Sequence, residues 1–274
     1  MQITKADGTR EEFDSNKLRK SLRRAGADKS EIKDIVDRVE AEIHDGMHTG
    51  EIYRHAFSLL RQSAPPVRAR YSLRRALFGL GPTGFPFEDF MARLFESEGY
   101  KTKLRTTIIG KCATHEIDVA AYKEDHSFVC EAKFHARPGI KSDLQVAMYS
   151  YARLIDLSTQ QICREDVCGI KEFLIVTNTK FTTSAIDYAQ CVGLNLLSWD
   201  YPINDNLHDR IQRQRTYPIT VLQNISATQA ATLISRNCIL CRDLVANPHI
   251  IRHLHLSKKR TQSLLDEASR LCKG

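Results

Sequence analysis

Apolar residues alternate with polar ones at the start of the chain and then recur at helical spacing. Residues 1–13 alternate around Asp7-Gly8, a pair typical of tight turns, and predict a β-hairpin. Apolar positions three or four residues apart then predict helices through residue 60, the third of them capped by Thr49. Pro65-Pro66 interrupts the pattern, and residues 68–78 predict a fourth helix. We therefore expect a small, mostly helical domain at residues 1–80.

A cluster of glycine and proline residues follows and predicts a linker at residues 81–86. The next segment, 87–204, predicts a helix, three strands, a helix, a strand, a helix and a last strand. The strands are expected at 100–109, 115–122, 128–134, 173–177 and 194–197. This order is typical of an α/β domain with a mixed sheet.

The last segment, 214–274, predicts a small helical domain with helix boundaries at Ser226, Asn247-Pro248 and Ser257. The fold class expected for the whole chain is therefore α/β (α+β). We expect three parts in chain order: a mostly helical N-terminal domain, a central α/β core around a mixed sheet, and a small helical C-terminal domain.

Charge adds a preference for polyanions. The chain has 40 Lys and Arg against 33 Asp and Glu, and residues 205–274 carry +6 of the net +7. A second basic stretch runs from Arg54 to Arg75 without an acidic residue. Such charge favours nucleic acid, nucleotides or anionic lipid, although a solvated helix face is the alternative.

Compartment and cysteine chemistry follow from composition. No apolar run approaches the ~20 residues of a membrane span, and the polar N-terminus is unlike a signal peptide. We therefore expect a cytoplasmic protein without a membrane partner, whose eight cysteines are reduced. Cys238 and Cys241 occupy apolar-periodic positions, which favours core packing over zinc binding.

Charged residues interrupt two apolar strands of the central segment. Asp118 lies in one strand, while Glu131 and Lys133 share a face of the next. Two carboxylates on adjacent strands can hold one Mg²⁺ or Mn²⁺, and a neighbouring lysine can orient a water or take its proton. The alternative is structural, with Glu131 in a salt bridge and Asp118 capping a turn.

The spacing Asp118, twelve residues, Glu131-Ala132-Lys133 resembles the PD-(D/E)xK motif, and residues 87–200 resemble the Mrr-like branch of the restriction-endonuclease-fold nucleases. The resemblance also rests on the helix carrying Glu88, on His115-Glu116-Ile117-Asp118, and on Gln145 with Tyr149. It implies that Asp118, Glu131 and the Ala132 carbonyl bind the metal and that Lys133 supports attack by water. It further implies that Glu88 joins the catalytic site and that Gln145 and Tyr149 lie near DNA or the lysine.

Three nearby residues leave alternatives open. His115 could shuttle protons or bind the metal, but a hydrogen-bonded histidine at a strand start is the commoner case. Arg137 and Lys141 follow the Glu131 strand in a glycine-containing loop. They could bind DNA phosphates beside the metal or belong to a solvated loop.

The N-terminal domain, residues 1–78, resembles the ATP-cone, a regulatory nucleotide-binding domain. The resemblance rests on residues 3–8, Phe13, Lys17-Leu18, residues 49–52 and Arg70-Tyr71. It implies that ATP or dATP binds near one set of residues and changes the oligomeric state. That set is Ile3, Lys5, Glu11, Phe13, Lys17 and Thr49. Ala6 replaces an arginine frequent in the family, which puts the nucleotide preference in doubt.

The C-terminal segment resembles helix-hairpin-helix modules, although its hairpin position, residues 254–256, lacks the usual glycine. Lys258, Lys259 and Arg260 could contact DNA phosphates at a helix start, or the segment could serve dimerisation. The sequence thus predicts a Mg²⁺-dependent DNA endonuclease, assembled as a dimer or tetramer and regulated by an adenine nucleotide, with a role in genome defence or repair. The alternatives are a non-catalytic, ATP-responsive DNA-binding regulator and an RNA-directed nuclease.

Overall fold

The computed structural model of the protein describes residues 1–60, 63–124, 126–158, 170 and 172–273. The chain forms two compact units. The first contains Met1–Ala76, Arg137–Gly139 and Tyr217–Gly274, and the second contains Leu77–Ala136 and Ile140–Thr216. Most of the predicted N-terminal and C-terminal domains thus share one unit. Arg61, Cys163 and Cys168, which the basic-stretch and reduced-thiol predictions include, lie outside the described residues.

The first unit begins with the expected hairpin, in which β1 (Gln2–Thr4) pairs antiparallel with β2 (Arg10–Glu12). Gly8 supplies a backbone φ of 82° at the turn, a conformation that glycine adopts without steric cost. Four helices follow. They are α1 (Ser15–Ala25), α2 (Lys29–Glu42), α3 (Thr49–Leu59) and α4 (Pro65–Phe78).

Two helix starts in this unit differ from prediction by a few residues. Helix α4 begins at Pro65, not at Arg68, because proline lacks an N–H that the first helical turn would leave unpaired in any case. Thr49 is the first residue of α3, and His48 precedes it as the cap, with its N–H donated to Glu51 Oε2 at 3.4 Å. The apolar positions predicted for α1 to α3 pack into one core, which includes Leu22, Val36 and Ala56.

The C-terminal part of the first unit is helical, as predicted. It contains 3-10 helices at Ile219–Val221 and Pro248–Leu254. Its α-helices are α9 (Ala227–Ile234), α10 (Cys241–Ala246) and α11 (Lys258–Lys273), numbered after the helices of the second unit, which precede them in the chain. Ser226 caps α9, and Ser257 Oγ accepts the Arg260 N–H at the start of α11. Cys238 and Cys241 are both buried, as expected of core residues.

The second unit is built on a mixed five-stranded sheet in the order β3-β4-β5-β7-β9. Its strands are β3 (Lys101–Ile109), β4 (Thr114–Lys123), β5 (His126–Lys133), β7 (Glu172–Thr177) and β9 (Asn195–Leu197). The pairs β3-β4 and β4-β5 are antiparallel, whereas β5-β7 and β7-β9 are parallel. A small parallel pair joins β6 (Lys141–Ser142) to β8 (Lys180–Phe181).

Helices pack around this sheet. They are α5 (Phe85–Ser97), α6 (Leu144–Ser158), α7 (Thr183–Val192) and α8 (Leu207–Gln214). The predicted α/β class with a mixed sheet is thus confirmed. Across the described ranges, no helix combines the length and apolarity that crossing a bilayer requires.

Candidate functional site

Asp118 lies where the pairing of β4 with β5 stops. Val119 and Cys130 form the pair at that end of the two strands. Directly beyond it, Asp118 Oδ2 accepts a hydrogen bond from the backbone N–H of Ala132 at 2.7 Å. The aspartate side chain therefore satisfies a backbone donor next to Glu131 and brings the two predicted carboxylates together.

Both oxygens of the Glu131 carboxylate bind cations. Lys133 Nζ donates to Oε1 at 2.5 Å, as expected for side chains two residues apart on one strand. Arg153 Nη1 on α6 donates to Oε2, and Arg153 Nη2 donates to the carbonyl oxygen of Glu116 on β4. Glu131 is 8% exposed and Arg153 is 5% exposed, so α6 supplies a buried counter-charge for the site.

Arg153 is a residue that the sequence prediction missed. It follows Ala147 and Ser150 along the buried face of α6, and Leu157 comes one turn later. A charged residue in an apolar stripe is costly unless it is paired. That position in the helical pattern was the signal that could have identified it.

The carboxylates of the site affect one another electrostatically. Burial, reinforced by the charge of Glu131, raises the pKa of Asp118 to about 6. The Ala132 N–H and Lys133 oppose this shift without cancelling it. The site therefore holds two closely spaced carboxylates, of which Glu131 is paired with Lys133 and Arg153.

Glu88 on α5 joins this group through a second ion pair. Arg105 Nη1 lies 3.1 Å from Glu88 Oε2, and Arg105 Nη2 lies 2.8 Å from Asp89 Oδ1. Burial raises the pKa of Glu88 against the opposing effect of Arg105, and Glu116 adds a smaller repulsion. The negative charge of Glu88 also raises the pKa of Asp118, so the two carboxylates interact electrostatically.

Arg105 has an unusual backbone. Its φ of 47° lies in the left-handed region, while its neighbours in β3 keep their register, with Leu104 opposite Val119 and Thr106 opposite Ile117. A non-glycine residue in this region costs about 1 kcal/mol or more unless its surroundings hold it there. The two carboxylate bonds of Arg105 are such a restraint.

Gln145 and Tyr149 lie on α6, as predicted, but differ in their contacts. The Tyr149 ring lies 5.6 Å from the Arg153 guanidinium carbon and is thereby connected to the site. Gln145 is exposed in the first turn of α6, where its backbone N–H donates to Asp143 Oδ1. Among the described residues, no hydrogen bond joins the Gln145 side chain to Asp118, Glu131 or Lys133.

His115 belongs to a different arrangement. Its Nε2 lies 2.7 Å from Asp156 Oδ2, and the same carboxylate accepts the N–H groups of Cys112 and Ala113 at 2.7 and 3.1 Å. These bonds, with His115 the first of them, lower the pKa of Asp156 to about 2. His115 thus helps to hold the β3-β4 turn against α6, which favours its structural interpretation.

The predicted DNA-contacting cations are exposed. Arg137 lies in the first compact unit and Lys141 opens β6 in the second. Lys258, Lys259 and Arg260 occupy the first turn of α11. Their places on the surface agree with phosphate binding and equally with solvated charge.

The predicted nucleotide residues cluster around the N-terminal hairpin. Glu11 Oε2 lies 2.7 Å from Lys5 Nζ and 3.0 Å from Lys17 Nζ, so one carboxylate bridges both lysines. These two bonds lower the pKa of Glu11. Ile3 pairs with Glu11 across the hairpin but is buried in the core, against which Phe13 packs.

The start of α3 is adjacent to this hairpin. Thr4 forms an isolated bridge with His48, and its N–H donates to the Met47 carbonyl at 3.0 Å. Thr49 therefore begins α3 beside β1. A helix N-terminus next to two exposed lysines is suited to phosphate groups.

The donor set around Asp118 suits a hard cation. Carboxylates of Asp118 and Glu131 and a backbone carbonyl are oxygen ligands of the kind Mg²⁺ takes. The raised pKa of Asp118 comes mainly from its burial, and the charge of Glu131 adds to it. Within the described ranges, however, no three His, Cys, Asp or Glu side chains form a metal-ligating group. A metal here would need further ligands from water or substrate.

Comparison with known proteins identifies both ends of the chain. Residues 1–77 match the ATP cone domain, and residues 217–272 match the family described as AF1548-like, C-terminal. The predicted ATP-cone is thereby confirmed. The resemblances to a nuclease and to helix-hairpin-helix modules stay predictions.

A protein of Archaeoglobus fulgidus, described as uncharacterized, is 35% identical over 182 residues, covering 66% of this chain and 99% of its own. The crystal structure of a protein of unknown function, AF1548, superimposes with a TM-score of 0.56 at 32% identity, covering 69% of this chain and 98% of that one. The chain therefore belongs to the AF1548-like family, and within that family it carries an ATP-cone at its N-terminal end.

Proposed function

We propose that this chain is a metal-dependent DNA endonuclease whose activity is regulated by ATP or dATP on the ATP-cone. One observation carries the proposal: Asp118, Glu131 and Lys133 meet at the end of two neighbouring strands, with Arg153 behind Glu131. The half-buried Asp118, with its raised pKa, lies beside the buried Glu131 and a lysine, and such a group is typical of active sites.

The residues divide the work by position. Asp118, Glu131 and the Ala132 carbonyl would hold Mg²⁺ or Mn²⁺, which acidifies water and neutralises charge on phosphorus. Lys133, about a third exposed, would reach the substrate side and donate a hydrogen bond from Nζ to the attacking water. Arg153 keeps the Glu131 carboxylate in place, and Arg105 does the same for Glu88.

DNA is the proposed substrate because of charge. The C-terminal quarter carries +6 of the net charge, and the first turn of α11 exposes Lys258, Lys259 and Arg260. Exposed cations bind the phosphate backbone without reading sequence. Cleavage of both strands requires two sites, which favours a dimer or tetramer as the working form.

The test is cleavage of plasmid and linear DNA with Mg²⁺ or Mn²⁺, with and without ATP or dATP. Asp118→Asn and Lys133→Met should each lower the rate about 100-fold or more. Asp187→Asn and Lys103→Met remove the same charges from exposed positions on α7 and β3 and should leave it unchanged. Equal rates in all five proteins would exclude this site as the origin of the activity. An RNA of the same sequence, cut faster than DNA, would identify an RNA-directed nuclease.

One observation favours a second candidate, a non-catalytic DNA-binding regulator that responds to ATP. Glu131 is bound by both Lys133 and Arg153, an arrangement that also suits a purely structural ion-pair group. This candidate predicts no cleavage with any metal or nucleotide. It also predicts that Asp118→Asn binds DNA as tightly as the natural protein and responds to ATP in the same way.

A further inference from the structure

A pocket of about 580 Å³ opens in the first compact unit between α4 of the ATP-cone and α11 of the C-terminal segment. Ligand sites commonly have volumes of about 300–1,000 Å³. Neither the hairpin residues Lys5 and Glu11 nor Lys17 of α1 line this pocket. It is therefore separate from the nucleotide site expected of an ATP-cone.

Three cations line the pocket, Arg68 from α4 and Lys259 and Arg270 from α11. Among the described residues, none of the three forms a salt bridge. Arg68 Nε is shielded from solvent and has no hydrogen-bond partner in the described part of the chain. Buried donors usually have an acceptor, and an anionic group in the pocket would supply one.

Two carboxylates also line the pocket, and the structure accounts for one of them. Glu267 accepts hydrogen bonds from the Gln223 N–H at 2.7 Å and from Asn224 Nδ2 at 2.9 Å. It thereby holds the loop that precedes α9. Asp266 Oδ1 accepts only the Gln262 side chain, at 2.8 Å, among the described hydrogen bonds. Its remaining lone pairs are available to hydroxyl or amine donors.

Bonds within the unit join α4 to residues 217–223, and Glu267 of α11 binds Gln223 of the same segment. Thr220 Oγ1 donates to the Ala76 carbonyl at 2.6 Å, Gln223 Nε2 donates to Ser72 Oγ at 3.3 Å, and Arg70 Nε donates to the Tyr217 hydroxyl at 3.4 Å. The pocket is thus formed before any ligand arrives. A preformed pocket spares the ligand the entropic cost of ordering it.

We infer that this pocket binds a nucleoside phosphate. The arginine and lysine side chains bind its phosphate groups, and Asp266 accepts hydrogen bonds from its hydroxyl or amino groups. Because α4 and α11 both contribute, an occupied pocket ties the last helix of the ATP-cone to the C-terminal segment. The inference is independent of the proposed nuclease activity.

The test is calorimetric titration of the full chain with ATP, which should reveal two binding events per chain. Arg68→Met/Arg270→Met should abolish one event or weaken it at least tenfold, whereas Lys5→Met/Lys17→Met should abolish the other. Lys259→Met, at an exposed position that leaves folding unaffected, should weaken the same event as the arginine pair. Lys33→Met, at an exposed position on α2 of the same unit and outside the pocket, is the control and should bind ATP like the natural protein.

Photo-crosslinking with 8-azido-ATP gives a second readout, and the labelled peptides should include α11. Loss of all ATP binding in Lys5→Met/Lys17→Met, or a loss in Lys33→Met equal to that in Lys259→Met, would overturn the inference. So would a 5′-phosphorylated DNA duplex that displaces ATP from the pocket event and binds there more tightly, because the phosphates recognised would then be those of DNA.

Discussion

At the scale of single residues, Arg153 explains how two carboxylates and a lysine coexist at the end of two apolar strands. Glu131 is nearly buried and would be costly as an isolated charge, so its bonds to Arg153 and Lys133 are part of the fold. The pattern of the strands predicted Asp118, Glu131 and Lys133. It could not predict Arg153, because that contact spans 22 residues and depends on where α6 lies against the sheet.

Replacing Arg153 should expose this dependence. Arg153→Met leaves Glu131 without its buried partner and should lower the free energy of unfolding by about 3 kcal/mol, measured by urea denaturation. Lys133→Met removes the partially exposed cation of the same carboxylate and should cost less than about 1 kcal/mol. The double variant Glu131→Gln/Arg153→Met should lose less stability than the two single variants lose in sum, because neither charge is then left without its partner. A loss equal to that sum would mean that the two residues are not coupled.

Asp156 gives a pH-dependent prediction. Its pKa is lowered to about 2 by His115 and by the N–H groups of the β3-β4 turn, below the unfolded value of about 3.9. The carboxylate therefore stabilises the fold above about pH 4, and this contribution is lost as the pH falls toward 2.

Asp156→Asn should accordingly lower Tm by a few degrees at pH 7, with the difference shrinking between pH 4 and pH 2. Thermal unfolding followed by circular dichroism measures this difference. Asp187→Asn, at an exposed position on α7, is the control and should follow the natural protein at every pH. A constant difference down to pH 2 would mean that the charge of Asp156 does not contribute.

At the scale of elements, local signals placed most helices and strands. Ser226, Asn247-Pro248 and Ser257 bound helices as predicted, because side-chain caps and proline act within a few residues. The sequence pattern did not reveal the left-handed backbone of Arg105, since that conformation depends on Glu88 and Asp89 from another element.

The end of α1 offers a test at this scale. Gly26 has a φ of 89° and bonds the last carbonyls of the helix. An alanine there must adopt the left-handed region, so Gly26→Ala should lower the free energy of unfolding by about 1 kcal/mol. Gly50→Ala, inside α3 with open space at its Cβ position, should instead raise it by about 0.5 kcal/mol. Urea denaturation of both variants checks the contrast, and losses of equal size would refute it.

At the scale of the whole molecule, the ATP-cone connects the chain to nucleotide chemistry. Lys5 of the hairpin and Lys17 of α1 share Glu11, so one acidic side chain holds two cations. Lys5 follows β1, and Thr4 of β1 forms a bridge with His48 at the start of α3. If nucleotide controls assembly, as the ATP-cone resemblance implies, this lysine pair helps to set the nucleotide concentration at which assembly changes.

Lys17→Met should therefore raise the ATP concentration that changes the sedimentation coefficient by about tenfold, the effect of losing one charge-assisted bond. Lys20→Met, an exposed lysine on the same helix, is the matched control and should behave like the natural protein. Sedimentation velocity across an ATP series measures this shift. If the ATP concentration at the midpoint of this change were the same in Lys17→Met as in the natural protein, Lys17 would have no part in the control of assembly.

Periodicity, turn residues and separated motifs predicted the hairpin, the strands of the mixed sheet, the ATP-cone and the group Asp118, Glu131 and Lys133, because each of these signals is carried by the residues of its own segment. The partners of that group, Arg153 and Arg105, and the pocket between α4 and α11 emerged only from the tertiary structure. Their contacts join elements far apart in sequence. Periodicity reports which face of an element is buried, but not which distant side chain meets it there.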